Sequence, residues 1–330
     1  MCGCSVLSEN ELLGQLMPTH NIRKRVDLAQ LIDPEDWLGM LLIQKIGAAT
    51  FHDIAFSSSL SKTMLLRELN RGTSLEFSKQ QLAAMDAAIL RWKRRRDDLR
   101  TNSFLEQAKR EALTILHPEH ESWPLQVNDL GAMSPILLWV RGDASLLGQS
   151  QVAIVGSRAC TPYGMAATQD LAEAISSAGI HVTSGGAYGI DAAAHHSVVT
   201  QVEGSGLEES GKTIAVLAGG LDRLYPSGNR NLLQQISKNG ALVSEMVPSR
   251  PPTRHRFLSR NRIIAALSQL TIVSEAQYRS GALSTAHHAL DLGSTVYAVP
   301  GSIYSPRTAG CHRLIRETPA EILFRKEDVL

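Results

Sequence analysis

The 330-residue chain lacks any long apolar segment. No apolar run approaches the roughly 20 residues that a membrane-spanning helix needs, and the longest, such as residues 37–43, are the length of a core element. The N-terminal region carries Glu9 and Glu11 and has no basic segment followed by an apolar one, so no secretory signal is visible. We therefore predict a cytoplasmic protein that does not enter a membrane.

Cysteine and net charge are also scarce. Cys2, Cys4, Cys160 and Cys311 are too few and too scattered for a disulfide framework. The first two have no second Cys or His pair nearby at the spacing of a zinc site, so we interpret all four as inert thiols. The sequence implies no metal and no cofactor, and a formal net charge of +1 indicates no class of partner.

The positive charge is unevenly distributed. Residues 248–262 contain five arginines and no acidic residue, and Phe257 lies among them. Arginines interleaved with an aromatic residue suit a groove that follows a nucleic-acid backbone and stacks a base. Residues 91–100 are basic as well, but Asp97 and Asp98 interrupt them, and we interpret that run as a solvated face.

Residues 1–105 have the apolar spacing of helices and form the first predicted domain. Residues 33–36 look like a helix cap and first turn, and an apolar stripe at helical spacing follows. Gly47 ends that helix, and further helices are predicted from near Thr50 and over 60–69 and 77–92. The turn at 46–48 fits either a plain helical hairpin, which we favour, or a helix-hairpin-helix unit that binds DNA.

From about residue 111 the pattern changes to short apolar runs that alternate with helical stretches. Such runs are typical of strands buried on both faces of a parallel sheet. The predicted strands are residues 137–140, 152–155, 180–183, 213–217, 241–244, 270–274 and 295–299. The alternation predicts a doubly wound, mostly parallel α/β sheet in a second domain over residues 106–330.

Small or polar residues follow each predicted strand, and such loops meet at one edge of a parallel sheet. The first loop, residues 156–164, precedes a helix that Thr161 is expected to cap, and Arg158 adds a cation that can hold a phosphate. The loop is neither a G-x-G-x-x-G fingerprint nor a P-loop, which argues against dinucleotides and ATP hydrolysis. Asp191 is expected to cap the next helix.

Two arginines in the segment SRNR, Arg260 and Arg262, are expected at the start of another helix, where their charge opposes the helix dipole. This placement favours a bound anion at that point. The alternative is that they pair with acidic residues of neighbouring loops, Asp222, Glu245 or Glu275.

Collinear motifs in the second domain resemble the DprA/Smf family. They are GSR at 156–158, SGGAYGID at 184–191, AVLAGGLDRLYPSGN at 215–229, FLSRNRIIAAL at 257–267, EAQYRSGALSTAHHA at 275–289, AVPGSI at 298–303 and GCHRLI at 310–315. The resemblance covers about residues 105–318. The helical N-terminal region is similar, much more weakly, to the family's sterile-alpha-motif-like domain.

The resemblance implies an extended Rossmann-like fold that dimerises, binds single-stranded DNA and delivers it to the RecA recombinase in natural transformation. The nucleic-acid-binding residues expected from it and from the loop pattern are Gly156, Ser157, Arg158, Ser184, Gly185, Gly186, Tyr188, Arg254, Phe257, Arg260, Asn261 and Arg262. The dimer interface expected from the resemblance comprises Cys311, His312, Leu314 and Ile315.

The sequence departs from the family at three places. Tyr188 stands where several members have Lys or Arg, which puts one phosphate contact in doubt or replaces it by stacking. Thr318-Pro319 replaces a glycine-alanine pair near the expected dimer edge, and the winged-helix domain found at the C-terminus of many members is not in this sequence.

Single-stranded DNA binding without catalysis is the function we predict. The alternative is a nucleotide phosphoribohydrolase on the same fold, with Glu275 and Arg279 on a loop of the pocket. The Pro-Gly-Gly-x-Gly-Thr-x-x-Glu signature of those enzymes is missing, and no set of catalytic residues can be placed by spacing. A third possibility is a protein scaffold for the recombinase that does not bind DNA.

Overall fold

A computed structural model describes residues 21–71, 76–205 and 210–330, which form two compact units, Met1–Glu106 and Gln107–Leu330. Four residues used in the sequence predictions, Cys2, Cys4, Glu9 and Glu11, lie outside the described residues. Within the described ranges, no helix has both the length and the apolar character that crossing a membrane requires.

The first unit is helical, as predicted. Its helices are α1 over residues 21–31, α2 (Trp37–Ile46), α3 (Ala48–Ala55), α4 (Lys62–Leu69), α5 (Lys79–Arg96) and α6 (Thr101–Arg110), the last of which continues into the second unit. Gly47 separates α2 from α3 with a φ of 82°, a backbone angle that favours glycine.

One carboxylate connects two helices of this unit. Asp36 caps α2 by accepting a hydrogen bond from the backbone of Gly39, and its other oxygen accepts one of 2.8 Å from the indole of Trp92 on α5. The ring of Phe51 packs edge-on against the same indole at a centroid distance of 5.3 Å. The cap is therefore Asp36 alone, and the residues before it form a turn.

The basic run at 91–100 contributes to the stability of its own unit. Arg95 pairs with Asp33 at 2.5 Å, and Arg96 donates to the backbone carbonyls of Ala55 and Ser57. Part of this run is therefore engaged in the fold, which corrects the prediction of a solvated face for Arg95 and Arg96.

The second unit contains a nine-stranded sheet flanked by helices. The strands are β1 (Thr114–Leu116), β2 (Leu138–Gly142), β3 (Gln151–Gly156), β4 (His181–Ser184), β5 (Thr213–Val216), β6 (Ala241–Ser244), β7 (Leu270–Glu275), β8 (Thr295–Ala298) and β9 (Glu321–Ile322). The helices are α7 (Pro162–Ser177), α8 (Ile190–Ser205), α9 (Arg230–Asn239), α10 (Arg254–Leu267), α11 (Ala282–Asp291) and α12 (Ala309–Glu317).

The strand order is β1-β2-β6-β5-β4-β3-β7-β8-β9, with β1 and β2 antiparallel to their neighbours and the remaining pairs parallel. The chain winds outward in one direction from β3 through β4 and in the other from β7 through β8. This confirms the predicted Rossmann-like, doubly wound and mostly parallel sheet, with a helical unit before it. The seven predicted strands are present, and the short β1 and β9 were not predicted.

Both faces of the sheet are buried, as the continuous apolar runs indicated. Within β3, Val152 and Ile154 join one core together with α7 and α8, while Ala153 and Val155 join the other together with α10 and α11. Because side chains alternate along a strand, a continuous apolar run is needed to fill both layers. This packing fixes the carboxyl ends of β3 and β7 side by side.

Candidate functional site

A cleft of about 820 Å³ lies at the carboxyl ends of β3 and β7, where the winding direction of the sheet reverses. The loops after both strands and the start of α10 form its walls. Its lining includes Gly156, Ser157, Arg158, Ala187, Asp191, Tyr225, Pro252, Arg254, Phe257, Arg260, Asn261, Gln277, Arg279, Ser280, Gly281, Ser284 and Arg307. Five of these residues are arginines, and the only carboxylate among them belongs to the buried Asp191.

Backbone hydrogen bonds join the loops around the cleft. The amide of Ser157 donates to the carbonyl of Glu275 at 2.7 Å, and the amide of Ile190 donates to the carbonyl of Ser157 at 3.1 Å. Gly189 has a φ of 77°, and a Cβ on it would lie 2.2 Å from the Ser157 oxygen. Glycine is therefore required here for two loops to touch.

The N-terminus of α7 is occupied by a side chain of the protein itself. Thr161 caps this helix and Pro162 occupies its first turn, as predicted. The carboxylate of Glu275 accepts hydrogen bonds from the amide of Thr161 at 3.2 Å and from its hydroxyl at 2.5 Å. A Cβ on Gly164 would lie 2.5 Å from a Glu275 oxygen. The phosphate predicted at this helix start is therefore wrong, because an internal anion already holds the position.

Arg158 and Phe257, the predicted phosphate and base contacts, lie together in the cleft. The exposed guanidinium of Arg158 is stacked over the Phe257 ring, 4.7 Å from its centroid. The ring of Tyr225 lies 6.0 Å from the Phe257 ring at an angle of 55°, and the Tyr225 side chain is 50% exposed. The ring of Tyr225 is therefore the most accessible aromatic surface on this wall.

Arg260 lines the cleft but is almost fully buried. It donates to the backbone carbonyls of Gly185, at 2.8 Å, and Val216, and its Nε has no hydrogen-bond partner among the residues that the structure describes. Burial lowers the pKa of Arg260 to about 10, with Asp191 opposing this effect and Arg158 adding to it. The guanidinium thus anchors the loops after β4 and β5 and contributes positive charge from behind the cleft wall.

Arg262 does not reach the cleft, which corrects its predicted role in binding. Both terminal nitrogens pair with the carboxylate of Glu245 at 2.7 Å, and its Nε donates to the carbonyl of Met133 at 2.8 Å. The side chain is only 2% exposed. Of the alternatives left open by the sequence, an internal ion pair with Glu245 is the one that the structure contains.

The helix that carries these arginines begins earlier than predicted. Thr253 caps α10, and Arg254 is its first residue, so Arg260 and Arg262 lie in the helix interior. Arg254 is exposed on the cleft wall, and Asn261 donates to the carbonyl of Gly281 across it. The predicted cations at a helix start are therefore wrong for Arg260 and Arg262, although Arg254 does occupy such a position.

The loop after β4 packs behind the residues that line the cleft. Ser184 is buried and donates to the carbonyl of Ile154, and a Cβ on Gly185 would meet the Arg260 guanidinium at 2.6 Å. Gly186 has a φ of 68° and packs against apolar side chains. Tyr188 is not among the residues that line the cleft, and its hydroxyl accepts a hydrogen bond from the amide of Gly228 at 3.2 Å. These four predicted contacts thus lie behind or beside the cleft rather than on its surface.

Two buried ionisable groups lie near Arg260. Asp191 lies in the first turn of α8, accepts a hydrogen bond from the amide of Ala187, and has its pKa raised by burial. It is therefore not the N-cap that the sequence indicated. His195 bonds to the hydroxyl of Thr213 at 2.7 Å, and burial together with Arg260 lowers its pKa to about 3. Both groups are structural neighbours of the arginine.

Several residues of the cleft were not predicted as binding residues. Gln277 and Arg279 follow β7, Arg307 follows β8, and Tyr225 follows β5. The rule that ligands lie beyond the carboxyl ends of strands could have included all four. No group of three or more His, Cys, Asp or Glu side chains suited to a metal ion occurs in the parts of the chain that the structure describes.

The residues expected at a dimer interface divide into two pairs on α12. Cys311 and Leu314 are buried in the core of their own unit, and the Cys311 thiol contacts the carbonyl of Val273. Burial raises the pKa of Cys311 to about 12. The prediction is therefore wrong for these two residues, whose side chains are turned toward the sheet. His312 and Ile315 are partly exposed.

The fold and the cleft define a class: a Rossmann-like protein whose switch-point cleft is lined by arginines and aromatic rings, and in which Glu275 occupies the start of α7. A family model described as DNA recombination-mediator protein A matches residues 114–330. The chain belongs to this family, the DprA/Smf proteins, as its motifs indicated.

Known relatives are similar in sequence and in structure. The DNA processing protein DprA of Streptococcus pneumoniae is 40% identical over 197 residues, which cover 60% of this chain and 66% of that protein. The crystal structure of pneumococcal DprA matches with a TM-score of 0.65 and 31% identity over 84% of this chain and 95% of that chain.

A structure described as showing the single-stranded DNA binding mode of DNA processing protein A from Helicobacter pylori has a TM-score of 0.56 and 28% identity. It covers 66% of this chain and 93% of that one. A DprA relative from Mycobacterium tuberculosis is 40% identical over 248 residues, which cover 72% of this chain and 61% of that protein. The chain thus spans less than two thirds of the length of the curated relatives it matches first.

Proposed function

We propose that this protein binds single-stranded DNA in the cleft at the carboxyl ends of β3 and β7, without changing the strand chemically. Exposed arginines at the cleft hold phosphates, and aromatic side chains beside them stack unpaired bases. In a duplex the bases are already stacked on one another and cannot reach these rings, so we expect duplex to bind more weakly.

The composition of the cleft wall carries this proposal. Arg158, Arg254, Arg279 and Arg307 line the cleft, and none of them pairs with a carboxylate within residues 21–71, 76–205 and 210–330. Exposed cations beside aromatic rings match the combination that single-strand binding requires, a phosphate track with a stacking surface. The single-stranded DNA binding mode described for DNA processing protein A from Helicobacter pylori, a structural relative, supports the choice of ligand.

The test is a binding titration of the full chain with a fluorescent 20-residue oligothymidine, in parallel with a duplex of the same length. We expect saturable binding of the single strand that weakens steeply with salt, because arginines release counterions from phosphates. Equal affinity for the duplex, or no binding at low salt, would refute the proposal. A scaffold that does not contact DNA would give the second result.

An enzyme in this cleft is less well supported. Glu275, the acid considered for phosphoribohydrolase chemistry, is fully buried and accepts three hydrogen bonds from Thr161, so it is engaged as a helix cap. Incubation with nucleoside monophosphates, followed by chromatography for free base, tests this alternative. We expect no release of base.

We further propose, from family membership, that the protein is a cytoplasmic homodimer that delivers the bound strand to the RecA recombinase in natural transformation. The partly exposed His312 and Ile315 on α12 remain candidates for the dimer contact. Sedimentation at increasing concentration tests dimerisation, and RecA filament assembly on strands coated by a single-strand-binding protein tests delivery.

A further inference from the structure

The cleft shares one wall with a second, smaller cavity. Tyr225, Pro252 and Phe257 line both, so they form a ridge with the large cleft on one side and the small cavity on the other. Gly219, Gly220 and Arg223 also line the small cavity but not the cleft. A strand that leaves the cleft over this ridge would cross the ring of Tyr225.

The ridge exposes one aromatic face. Arg158 stacks over Phe257 at 4.7 Å and Arg260 lies 5.9 Å from the same centroid, so the Phe257 ring is flanked by guanidinium groups. The Phe257 and Tyr225 rings are 6.0 Å apart and inclined by 55°. This gap is too narrow and too oblique for a base between two parallel rings, which needs about twice the stacking distance. A base therefore does not fit between the two rings, whereas the outer face of the half-exposed Tyr225 is open to stacking.

The loop that carries Tyr225 is held by its neighbours. Tyr188 accepts a hydrogen bond from the amide of Gly228, and a Cβ on Gly228 would lie 2.7 Å from the Tyr188 hydroxyl oxygen. Asn229 donates to the carbonyls of Gly186 and Ala187 at 3.0 Å. The loop is thus fixed to the chain segment after β4, which keeps the Tyr225 ring, a platform on which a base can stack, in place before a ligand arrives.

A cationic side chain, that of Arg223, lines the small cavity together with Tyr225. Arg223 is exposed and lines the small cavity, and it forms no ion pair with a carboxylate in the described parts of the chain. The neighbouring Asp222 is engaged by the amide and hydroxyl of Ser249. Arg223 is therefore available for an anion two residues along the chain from an exposed aromatic ring.

We infer that Tyr225 and Arg223 form one further nucleotide site at the rim of the cleft, in which Tyr225 stacks a base and Arg223 holds the adjacent phosphate. This inference rests on the proposed single-strand binding and specifies the direction in which the strand leaves the cleft. It also gives Tyr188 a role as a positioning residue for the platform instead of a direct contact.

The test measures the affinity of the full chain for oligothymidine with the variants Tyr225→Ala, Tyr225→Leu and Tyr225→Phe. Loss of one base–aromatic stack weakens binding by about fivefold to a hundredfold, whereas the phenylalanine variant stays within about twofold of the wild type. The leucine variant keeps apolar bulk without a ring, so it should resemble the alanine variant even if alanine disturbs the loop.

A strand of abasic sites separates stacking from other effects. On this strand the difference between wild type and Tyr225→Ala should disappear, because no base is present to stack. Arg223→Ala should lower the log–log salt slope by about 0.7 on both strands, the amount expected for one phosphate contact. Lys238→Ala, which removes an exposed charge that lines neither cavity, is the matched control and should leave the slope unchanged.

Two results overturn the inference while leaving the proposed function intact. Normal affinity of Tyr225→Ala and Tyr225→Leu for oligothymidine removes the platform. An equal loss on normal and abasic strands assigns the effect to loop geometry instead of stacking. If the wild type itself binds neither strand, the proposed function fails first.

Discussion

Three arginines that the sequence suggested as DNA contacts have different roles in this chain. Arg158 is exposed and free to turn toward a ligand, Arg260 is buried against backbone carbonyls, and Arg262 is neutralised by Glu245. Arg158→Ala should therefore weaken binding to all single-stranded sequences alike and reduce the log–log salt slope by about 0.7, one phosphate contact. Affinity measured from 50 to 300 mM salt checks this, and an unchanged slope would remove Arg158 from the site.

The buried ion pair between Arg262 and Glu245 should affect stability rather than DNA binding. Glu245→Gln leaves the Arg262 guanidinium buried without a counter-charge, which should lower the free energy of unfolding by about 3–5 kcal/mol. Urea denaturation followed by circular dichroism measures this loss. Glu317→Gln, on an exposed ion pair of α12, is the matched control and should have a much smaller effect. Similar losses for both variants would contradict the assigned role.

Sequence reasoning could place the arginine segment but could not assign its members. Asp222, Glu245 and Glu275 were all possible partners for Arg262, and only the register between β2 and β6 and the path of α10 bring Glu245 to it. The predicted start of α10 at SRNR is too late, and Thr253 after two prolines is the local cap signal that marks the true start. Local signals fix helix ends, whereas partners distant in sequence depend on packing.

Among the elements, α7 combines a cap with an internal anion. Thr161 caps the helix through Gly164 and also donates to Glu275 on β7. Thr161→Ala should cost about 0.5–2 kcal/mol of stability, because it removes the cap, while Thr161→Ser keeps the hydroxyl and should restore most of it. Thermal and urea unfolding of both variants check this. A serine variant as unstable as the alanine variant would show that the methyl group, not the hydroxyl, matters.

Strands were easier to predict than the features at their ends. Continuous apolar runs located β2 to β8, because both faces of those strands are buried. The two-residue β9 and three-residue β1 carry too few residues to produce a pattern. Glu275 was recognised as a residue at a strand end, but its capping of α7 depends on β3 and β7 being adjacent, which the sequence does not show directly.

At the scale of the whole molecule, acid should destabilise the second unit through His195. Its pKa of about 3 in the folded chain lies below the ordinary 6.5, so between these values the unfolded chain binds more protons. The contribution of the neutral His195 to the free energy of unfolding is therefore fully present above pH 6.5. It falls as the pH decreases toward 3, by about 5 kcal/mol across the window.

The measurement is urea unfolding of the wild type and His195→Gln at pH 7 and at several values down to pH 4. Carboxylates titrate in both proteins, so the difference between the two pH profiles isolates the histidine. We expect the variant to lose less stability with acid than the wild type. Parallel profiles would show that His195 does not control the acid response.

The closed end of α7 has a consequence for competition between ligands. A nucleoside monophosphate that enters the cleft cannot use the start of α7, because Glu275 accepts the hydrogen bonds there, and its single phosphate can reach only some of the separate arginines. A polymer engages several of those arginines with one molecule, and each contact after the first forms at high effective concentration. We therefore expect the abundant monomers of a cell to compete poorly, which leaves the cleft open for rare strands.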